Sequence, residues 1–345
     1  MRTVRFHGVG RPMAVEEVPA PHPGQGEVVV AVAWCGLCAT DLKMFRGQKA
    51  PRHPPPLTFG HEVAGRVAEV GAGVAHVRAG DPVVVSLAIT CGRCDFCRRG
   101  MPEFCAHLQV LGIDRHGGLA DRVVVPGENV HPVPPSIPLD QAALLPDSVA
   151  TAFQAIRRAE IAPGDRVAIF GATGGIGTMA AQMATRLRGA RVIAVGRSTE
   201  KLDQVKAQGA WQVVSAGEGD PMAQIMDLTG GEGVEVALEC AGQRATTEAA
   251  LRVVRKGGRI IMVGTAAEPV ALEASRLVLG GISVVGSYLS RRGDIPTLID
   301  LVARGVLDLS RQVSRRVPLE RVEEGLAILE ERRGDPIRIL VEVAP

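Results

Sequence analysis

Four cysteines within one short segment constrain this chain more than any other feature of its sequence. They are Cys91, Cys94, Cys97 and Cys105, with the spacing C-x2-C-x2-C-x7-C. Thiolates are soft ligands, and four of them on one loop can close a tetrahedron around Zn²⁺ with no position left for substrate. Such a loop buries little apolar surface, and structural zinc contributes roughly 10–16 kcal/mol in isolated peptides. The spacing therefore predicts a structural zinc site.

An iron–sulfur cluster is the competing interpretation of this loop, because bacterial ferredoxins also begin with C-x2-C-x2-C. In those proteins the fourth cysteine follows after three residues and precedes a proline. Here seven residues separate Cys97 from Cys105, and Ala106 comes next. The spacing thus favours zinc over a cluster, with a metal-free loop as the third possibility.

The composition indicates a globular protein. The chain has 345 residues, of which 46% are hydrophobic and 22% charged, a length that allows about two domains. A formal net charge of +2, spread over interspersed acids and bases, argues against nucleic acid and membrane as partners. The segment 1–7 lacks the apolar core of a signal peptide, and no apolar stretch is long enough to span a bilayer. We therefore expect a cytoplasmic protein with reduced cysteines.

The first part of the chain is typical of a β-rich domain. Valine-rich segments alternate with glycine and proline turns, which predicts short strands at 27–33, 63–70, 82–86 and 121–125. Short strands at close spacing favour a barrel-like domain over a layered α/β sheet.

After residue 165 apolar strands alternate with helices. The predicted strands are 166–170, 191–195, 234–238, 259–263 and 282–285, and the intervening helices include 178–187 and 199–207. This alternation indicates parallel βαβ units and a doubly wound sheet. Two further helices and a strand at 337–343 end the chain. We predict a dinucleotide-binding domain over 151–287 and a β-rich catalytic domain over 1–150 that is completed by 288–345.

A glycine-rich turn follows the strand at 166–170. It comprises Gly171, Ala172, Thr173, Gly174, Gly175, Ile176 and Gly177. Aligned on G-x-G-x-x-G, the first glycine position is Ala172, which weakens the fingerprint, but the turn lies between a strand and a helix as dinucleotide binding requires. Gly174 would let the backbone approach a pyrophosphate at the helix N-terminus. An ordinary tight turn is the alternative.

The next strand ends at Gly196, Arg197 and Ser198. Enzymes that use NAD usually place an acid near this point to bind the ribose 2′-hydroxyl. Without a carboxylate there is no repulsion against a 2′-phosphate, and Arg197 could bind one with paired donors. We therefore predict a preference for NADP over NAD, the alternative being that Arg197 only stacks on adenine and both coenzymes serve.

Two further motifs contain metal-ligand residue types. One is C-x-T-D at Cys38, Thr40 and Asp41, and the other is G-H-E at His61 and Glu62. With the four-cysteine loop and the glycine turn, they make the chain similar to the zinc-containing medium-chain dehydrogenase/reductase family, which includes alcohol, sorbitol and threonine dehydrogenases. The resemblance covers essentially the whole chain. It implies a β-rich GroES-like catalytic domain plus a Rossmann domain with a doubly wound parallel sheet.

The resemblance also implies roles for individual residues. Cys38, His61 and Asp147 match the positions that hold the catalytic zinc, and an oxygen donor at 147 is compatible with that metal. Glu62 resembles a carboxylate that occupies the fourth position when substrate is absent. Asp41 resembles the acid that orients the ligand histidine, and Thr40 the hydroxyl that accepts the substrate proton.

One position departs from the family pattern. Lys43 stands where many relatives have a histidine that relays the alcohol proton to solvent, so the route here is expected to run through the coenzyme ribose or water. Cys35 and Cys240 are expected to be ordinary buried residues.

The predicted function is a zinc-dependent alcohol dehydrogenase that transfers hydride reversibly between a primary, secondary or polyhydroxy alcohol, or the corresponding carbonyl compound, and NADP or NAD. It requires one catalytic and one structural zinc. A zinc-free reductase of the quinone-reductase branch and a non-catalytic binding protein on the same scaffold are the alternatives. Homo-oligomers, dimers or tetramers, are expected, because the segment 282–287 resembles the one that pairs between subunits.

Overall fold

The structure is a computed structural model that describes residues 1–265 and 268–344. The chain divides into two compact units, Met1–Ala150 with Ser290–Pro345, and Thr151–Leu289. The sequence-based boundary at 287 therefore lies two residues before the observed one. Within the described ranges, no helix combines the length and the apolar character needed to cross a membrane.

The secondary structure is given in chain order. The strands are β1 (Arg2–Arg5), β2 (Ala14–Glu17), β3 (Glu27–Leu37), β4 (Glu62–Val70), β5 (Pro82–Val85), β6 (Ala88–Ile89), β7 (Gln109–Val110), β8 (Arg122–Pro126), β9 (Val130–Pro132), β10 (Arg166–Phe170), β11 (Arg191–Gly196), β12 (Gln212–Ser215), β13 (Val234–Glu239), β14 (Val254–Met262), β15 (Ser283–Gly286), β16 (Val313–Pro318) and β17 (Arg338–Glu342). The helices are α1 (Ala39–Phe45), α2 (Asp95–Arg98), α3 (Leu139–Ala142), α4 (Ala150–Ala159), α5 (Gly175–Arg188), α6 (Thr199–Ala207), α7 (Pro221–Leu228), α8 (Arg244–Val253), α9 (Ala274–Gly280), α10 (Ile295–Ala303) and α11 (Val322–Glu331).

The first unit is built on a seven-stranded sheet in which β3 is central. The strand order is β16-β17-β3-β4-β5-β9, and β8 also pairs with β3. The valines of β3 account for this position, because Val28, Val29, Val30 and Val32 are all fully buried and β-branched side chains pack well on a pleated surface. Two short strand pairs, β1-β2 and β6-β7, lie outside this sheet.

The second unit is a six-stranded parallel sheet with the order β12-β11-β10-β13-β14-β15. The chain moves outward from β10 on one side and, after β12, from β13 on the other. The crevice where strand order reverses lies at the carboxyl ends of β10 and β13, which is where open α/β sheets bind ligands. Apolar residues such as Phe170, Ile193 and Ile260 form its buried core.

Two strands are longer than the sequence indicated. β3 runs to Leu37 rather than to residue 33, because its second half pairs with β17 from the other end of the chain. β14 begins at Val254 rather than at residue 259. Residues 255–258 are two basic residues and two glycines, a composition that does not indicate a strand. Pairing with distant strands determines where β3 ends and where β14 begins, and the local hydrophobic pattern carries no information about such pairing.

Candidate functional site

The four-cysteine loop gathers its sulfur atoms around one point. Cys94 caps α2, Cys97 lies in that helix, and Cys105 follows the 3₁₀ turn Pro102–Phe104. The Sγ atom of Cys105 is 3.5 Å from that of Cys91 and 3.8 Å from that of Cys94. All four sulfurs lie within 4.8 Å of one another.

These separations fit a tetrahedral zinc and not a disulfide. Zn–S bonds of about 2.3 Å place tetrahedral sulfurs about 3.8 Å apart, whereas disulfide sulfurs are about 2.05 Å apart. Backbone N–H groups of Cys97 and Ala106 lower the pKa of Cys94 to about 6, and that of Arg93 lowers the pKa of Cys91. Burial, together with the Cys94 and Cys105 side chains, raises the pKa of Cys97 to about 12. The backbone amides thus favour the thiolate form at Cys94 and Cys91, whereas the thiol of Cys97 would lose its proton on binding the metal.

A second group of donors lies at one end of the central sheet. Cys38 follows β3 directly and caps α1, while His61 immediately precedes β4. The two residues are neighbours because Gly36 pairs with Glu62 in the antiparallel register of β3 and β4. One ligand atom from each of Cys38, His61, Glu62 and Asp147 lies within 4.8 Å of the others.

Asp147 enters this group from a π-helical turn, Leu145–Val149, that leads into α4. Single π turns in α-helices occur frequently at functional sites, and all five residues of this one are buried. The Oδ2 atom of Asp147 lies 4.0 Å from Nε2 of His61.

Asp41 lies behind His61 on the side away from the donor group. Its Oδ1 atom is 3.6 Å from Nδ1 of His61, and its carboxylate accepts the N–H groups of Cys38 at 2.9 Å and Gly60 at 3.4 Å. Burial opposes a charge on the imidazole, yet Asp41 holds the pKa of His61 well above its usual value. With Nδ1 towards Asp41, Nε2 faces the donors, the arrangement that a metal-binding imidazole needs.

Arg338 supplies a buried positive charge beside the carboxylates. It is 7% exposed, with Nη1 3.1 Å from Oε1 of Glu62 and Nη2 3.3 Å from Oδ2 of Asp147. Burial raises the pKa of Glu62 to about 8 against the opposing charge of Arg338. For Asp147 burial is outweighed, mainly by Arg338, and the pKa falls to about 2.

The donor types fit a catalytic zinc. A thiolate, an imidazole and a carboxylate are all zinc ligands, and three of them suffice where a fourth position serves the substrate. Within the described residues the buried oxygens of Glu62 accept no hydrogen bond of good geometry, although Oε1 is ion-paired with Arg338. Buried polar atoms without a hydrogen-bond partner are expected where an ion binds beside them and provides the missing interaction.

The glycine-rich turn of the second unit joins β10 to α5. Gly171 has a positive φ of 79°, and the N–H groups of Gly171 and Ala172 both donate to the carbonyl of Val195. A Cβ atom at Gly177 would overlap the carbonyl oxygen of Gly171, whereas one at Gly174 would meet no atom nearer than 3.5 Å. The fold itself thus requires Gly177, and the open space at Gly174 fits the approach of a pyrophosphate.

Alanine at position 172 does not disrupt this turn. The left-handed backbone conformation belongs to Gly171, one residue earlier, and Ala172 is fully buried without a positive φ. Gly175 and Ile176 begin α5. Alanine at the first glycine position of the fingerprint therefore does not argue against a dinucleotide-binding turn. The left-handed conformation that requires glycine belongs to Gly171.

The carboxyl end of β11 comes close to the same turn. A Cβ atom at Gly196 would lie 2.6 Å from Cγ2 of Thr173. Ser198 caps α6 by accepting the N–H of Lys201 at 3.4 Å. Arg197 is exposed, and among the residues that the structure describes it forms no ion pair.

Comparisons with known proteins agree with this arrangement. Residues 24–135 match the alcohol dehydrogenase GroES-like domain, and residues 175–304 match the zinc-binding dehydrogenase domain. The NAD-dependent alcohol dehydrogenase of Sulfurisphaera tokodaii is 30% identical over 99% of this chain and 100% of its own length. This chain belongs to the zinc-binding alcohol dehydrogenase family.

Solved structures show the fold of this family throughout the chain. An NAD-dependent alcohol dehydrogenase with 32% identity superimposes with a TM-score of 0.93 over 100% of both chains. A Sinorhizobium meliloti protein solved with NADP bound has 30% identity and a TM-score of 0.91 over 99% of both chains. The family and the two-part α/β fold predicted from the sequence are confirmed.

Within the first unit the structure brings each of the two predicted sets of metal donors together. Thr40 lies in the first turn of α1, between Cys38 and Asp41, and is half-buried, and Lys43 lies one turn further along. Cys35 and Cys240 belong to neither donor group of the described residues, and burial raises the pKa of both thiols.

Two buried charged residues beside the predicted sites, Arg338 and Glu239, were not predicted from the sequence. Arg338 begins β17, where an arginine within an otherwise apolar segment was the available signal. Glu239 ends β13 and is fully buried, and its carboxylate accepts the N–H groups of Ala241 and Gly242 and the hydroxyl of Thr246. Through these hydrogen bonds Glu239 stabilises the loop that follows β13, beside the crevice of the parallel sheet.

The two glycines of the turn predict different effects of an added methyl group. Gly177→Ala should destabilise the protein by about 1–3 kcal/mol, because the turn must shift to relieve overlap. Gly174→Ala should leave the melting temperature of the coenzyme-free protein unchanged but weaken coenzyme binding at least about tenfold. Thermal melts and coenzyme titrations check both. Equal melting temperatures for the two variants would contradict the assignment.

Proposed function

We propose that this dehydrogenase oxidises a small alcohol to the corresponding carbonyl compound, and reduces it in reverse, with NAD(P) as the hydride carrier and zinc as the metal. The observation that carries the proposal is the second donor group, in which Cys38, His61 and a carboxylate converge beside a buried Asp41. Family membership and the glycine turn support the coenzyme.

A bound zinc ion would supply a Lewis acid that favours loss of the alcohol proton, and bound NAD(P) would supply the hydride acceptor. The alcohol thus loses a proton and a hydride, and the products are the carbonyl compound, NAD(P)H and H⁺. We assign the other tasks to side chains of this chain. Cys38, His61 and Asp147 hold the ion, and Asp41 fixes the orientation of the His61 ring.

For the proton we propose that the Thr40 hydroxyl is the first acceptor. Its place in α1, two residues after Cys38, supports this role. Beyond Thr40 the proton passes to the coenzyme ribose or to water. Lys43 stands where relatives have a histidine, and an ammonium group has no free lone pair to accept a proton unless its pKa is lowered.

Two alternatives are less well supported. A zinc-free reductase on the same scaffold needs no metal ligands, yet three further donor residues converge with Cys38. A non-catalytic protein would be expected to have lost part of this set while keeping the four-cysteine loop. Both donor groups are complete, which favours the enzyme.

Replacing Cys38 tests the metal assignment. Cys38→Ser should lower bound zinc from two equivalents per chain to one and reduce alcohol oxidation more than about 100-fold, a loss larger than that of an outer-shell partner. Zinc analysis, circular dichroism and initial rates over primary, secondary and polyhydroxy alcohols provide the measurements. Cys240→Ser is the matched control and should keep both zinc ions. Full activity in Cys38→Ser would refute the mechanism.

For the coenzyme we propose a preference for NADP over NAD. The segment 196–198 carries no carboxylate that would repel a 2′-phosphate, and the exposed guanidinium of Arg197 adjoins the N-terminal cap of α6. Planar guanidinium groups bind phosphate with paired, charge-assisted hydrogen bonds.

Arg197→Leu should raise KM for NADP about tenfold or more and leave KM for NAD within about twofold, since a charge-assisted hydrogen bond contributes about 1.5–3 kcal/mol. Steady-state kinetics with both coenzymes measure the difference. Arg188→Leu, a change at an exposed arginine at the end of α5, serves as the control. If both KM values rise equally, Arg197 contacts adenine rather than the 2′-phosphate.

We also propose a cytoplasmic homo-oligomer. Thiolate ligands require the reducing conditions of that compartment. At the edge of the parallel sheet β15 pairs with β14 alone among the described strands, and the neighbouring α9 exposes Val278 at 77% and Leu279 at 80%. An open edge beside exposed apolar side chains is expected where a second copy extends the sheet.

Adding charge to this edge should separate the subunits. The double change Val278→Asp and Leu279→Asp should convert the oligomer into a monomer of about 36 kDa, because burying two carboxylates costs more than the contact contributes. Light scattering after size exclusion measures the mass. Val9→Asp, at another exposed valine, should keep the oligomer. A wild-type monomer would refute this proposal.

A further inference from the structure

Glu239 is a fully buried acid at the carboxyl end of β13, one of the two strands between which the order of the parallel sheet reverses. In the part of the chain that the structure describes, it forms no ion pair with a basic side chain. Hydrogen-bond donors surround it instead, and burial raises its pKa against their effect. A buried carboxylate without a cation is unfavourable by itself, so the groups that it binds indicate what this acid contributes.

The donors come from the loop that follows β13 and from the start of α8. One carboxylate oxygen, Oε1, accepts the N–H groups of Ala241 at 2.9 Å and Gly242 at 3.0 Å and the hydroxyl of Thr246 at 2.8 Å. The other, Oε2, lies 3.1 Å from the backbone nitrogen of Gly242. Hydrogen bonds to an ionised acceptor are about twice as strong as neutral ones. Because Ala241 is exposed, the buried acid fixes from below a segment that lies on the surface of the crevice.

The same loop contacts the turns that follow the two neighbouring strands. A Cβ atom at Gly171, after β10, would lie 3.1 Å from the backbone nitrogen of Ala241. One at Gly264, after β14, would lie 2.2 Å from that of Gly242. The backbone carbonyl of Glu239 also accepts the N–H group of Gly264 at 2.9 Å. Three loops at one end of the sheet therefore meet around a single carboxylate.

A cavity adjoins the loop after β13. Its volume is about 440 Å³, which is within the range of small-molecule sites. Its lining consists of Gly242, Gln243, Arg244, Ala245, Glu248 and Glu268. Open α/β sheets bind their ligands at the carboxyl ends of the strands where strand order reverses. The loop that Glu239 holds thus adjoins both the glycine-rich turn and a cavity in the region where a dinucleotide is expected.

We infer that Glu239 is a positioning residue for the coenzyme, which holds the loop after β13 in its binding conformation before any dinucleotide arrives. The inference rests on the coenzyme role of the second unit in the proposed function. Binding then requires no ordering of this loop, and such preorganisation increases affinity. NAD and NADP differ only in the 2′-phosphate, which we have assigned to Arg197 at the other side of the crevice, so Glu239 should matter equally for both.

The test compares two glutamates near opposite ends of one strand. Glu239→Gln removes the charge that accepts the loop amides. Glu235→Gln, the matched control, removes an acid that pairs with Arg166 and Arg255 near the start of β13. Without any coenzyme, hydrogen exchange of the segment 240–246 should be at least about tenfold faster in Glu239→Gln than in wild type, because the loop opens locally. In Glu235→Gln the exchange of this segment should be unchanged.

Titrations with NADPH and NADH, followed by coenzyme fluorescence, provide the second measurement. Glu239→Gln should bind each coenzyme at least about tenfold more weakly than wild type, and the two losses should agree to within about twofold. Glu235→Gln should keep both affinities within about twofold of wild type, even where its melting temperature falls further. A merely structural role of Glu239 would instead make affinity follow the melting temperature in both variants.

Thr246 provides a second route if Glu239→Gln does not fold. Thr246→Val removes one donor to Oε1 and should weaken both coenzymes about threefold or more, whereas Thr246→Ser keeps a hydroxyl and should stay within about twofold of wild type. Unchanged coenzyme affinity or unchanged exchange in folded Glu239→Gln overturns the inference, as does a loss confined to one coenzyme. Unchanged affinity in Thr246→Val overturns it where that variant replaces Glu239→Gln. If the wild-type protein binds neither coenzyme, the proposed function itself fails.

Discussion

The burial of several charges at one end of a β-sheet is the constraint on which the catalytic unit depends. Asp41, Glu62 and Asp147 are carboxylates with little or no contact with water, and a single guanidinium, that of Arg338, lies among them. Isolated buried charges of this kind cost several kcal/mol each unless paired. Three buried carboxylates beside one guanidinium are consistent with a doubly charged cation as part of the native state, because such an ion would pair the remaining negative charges.

The pairing of strands in the sheet brings these charged residues to one place. β3 pairs with β4 on one side and with β17 on the other, so three segments far apart in sequence end at the same point. A slip of one residue in either register would turn every side chain to the opposite face. The valine run of β3 is buried on both faces, so a slip would press each side chain against neighbours of the wrong size and shape, which a close-packed interior does not tolerate. Ordinary hydrophobic packing thus fixes the geometry of the metal ligands.

In the second unit the corresponding constraint is that the backbone of the turn between β10 and α5 must approach a ligand closely. Gly171 takes the left-handed conformation, and Gly177 lets the first turn of α5 pack on the carbonyl of Gly171. Only Gly174 is open towards solvent. The fingerprint therefore combines residues needed for the turn with a residue that leaves space for a phosphate, and alanine at 172 is compatible with both.

The sequence by itself determined the family and the two kinds of domain, and it predicted which residues form the donor groups. Those features depend on local spacing: four cysteines on one loop, C-x-T-D, G-H-E, and a strand followed by a glycine turn and a helix. Individual strand ends were less accurate, because β3 and β14 extend through pairings with distant strands. The roles of Cys38, His61 and Asp147 as ligands of one zinc came from family resemblance, and of these three residues Asp147 had the weakest local signal.

Tertiary structure alone decided which groups share an environment. Arg338 is three hundred residues from Cys38 in sequence, and nothing in its neighbours along the chain indicates that it contacts Glu62 and Asp147. The same holds for the place of Asp147 on a π turn. Local periodicity records which face of a strand is buried, but the partner on that face is set by strand register and packing between distant segments.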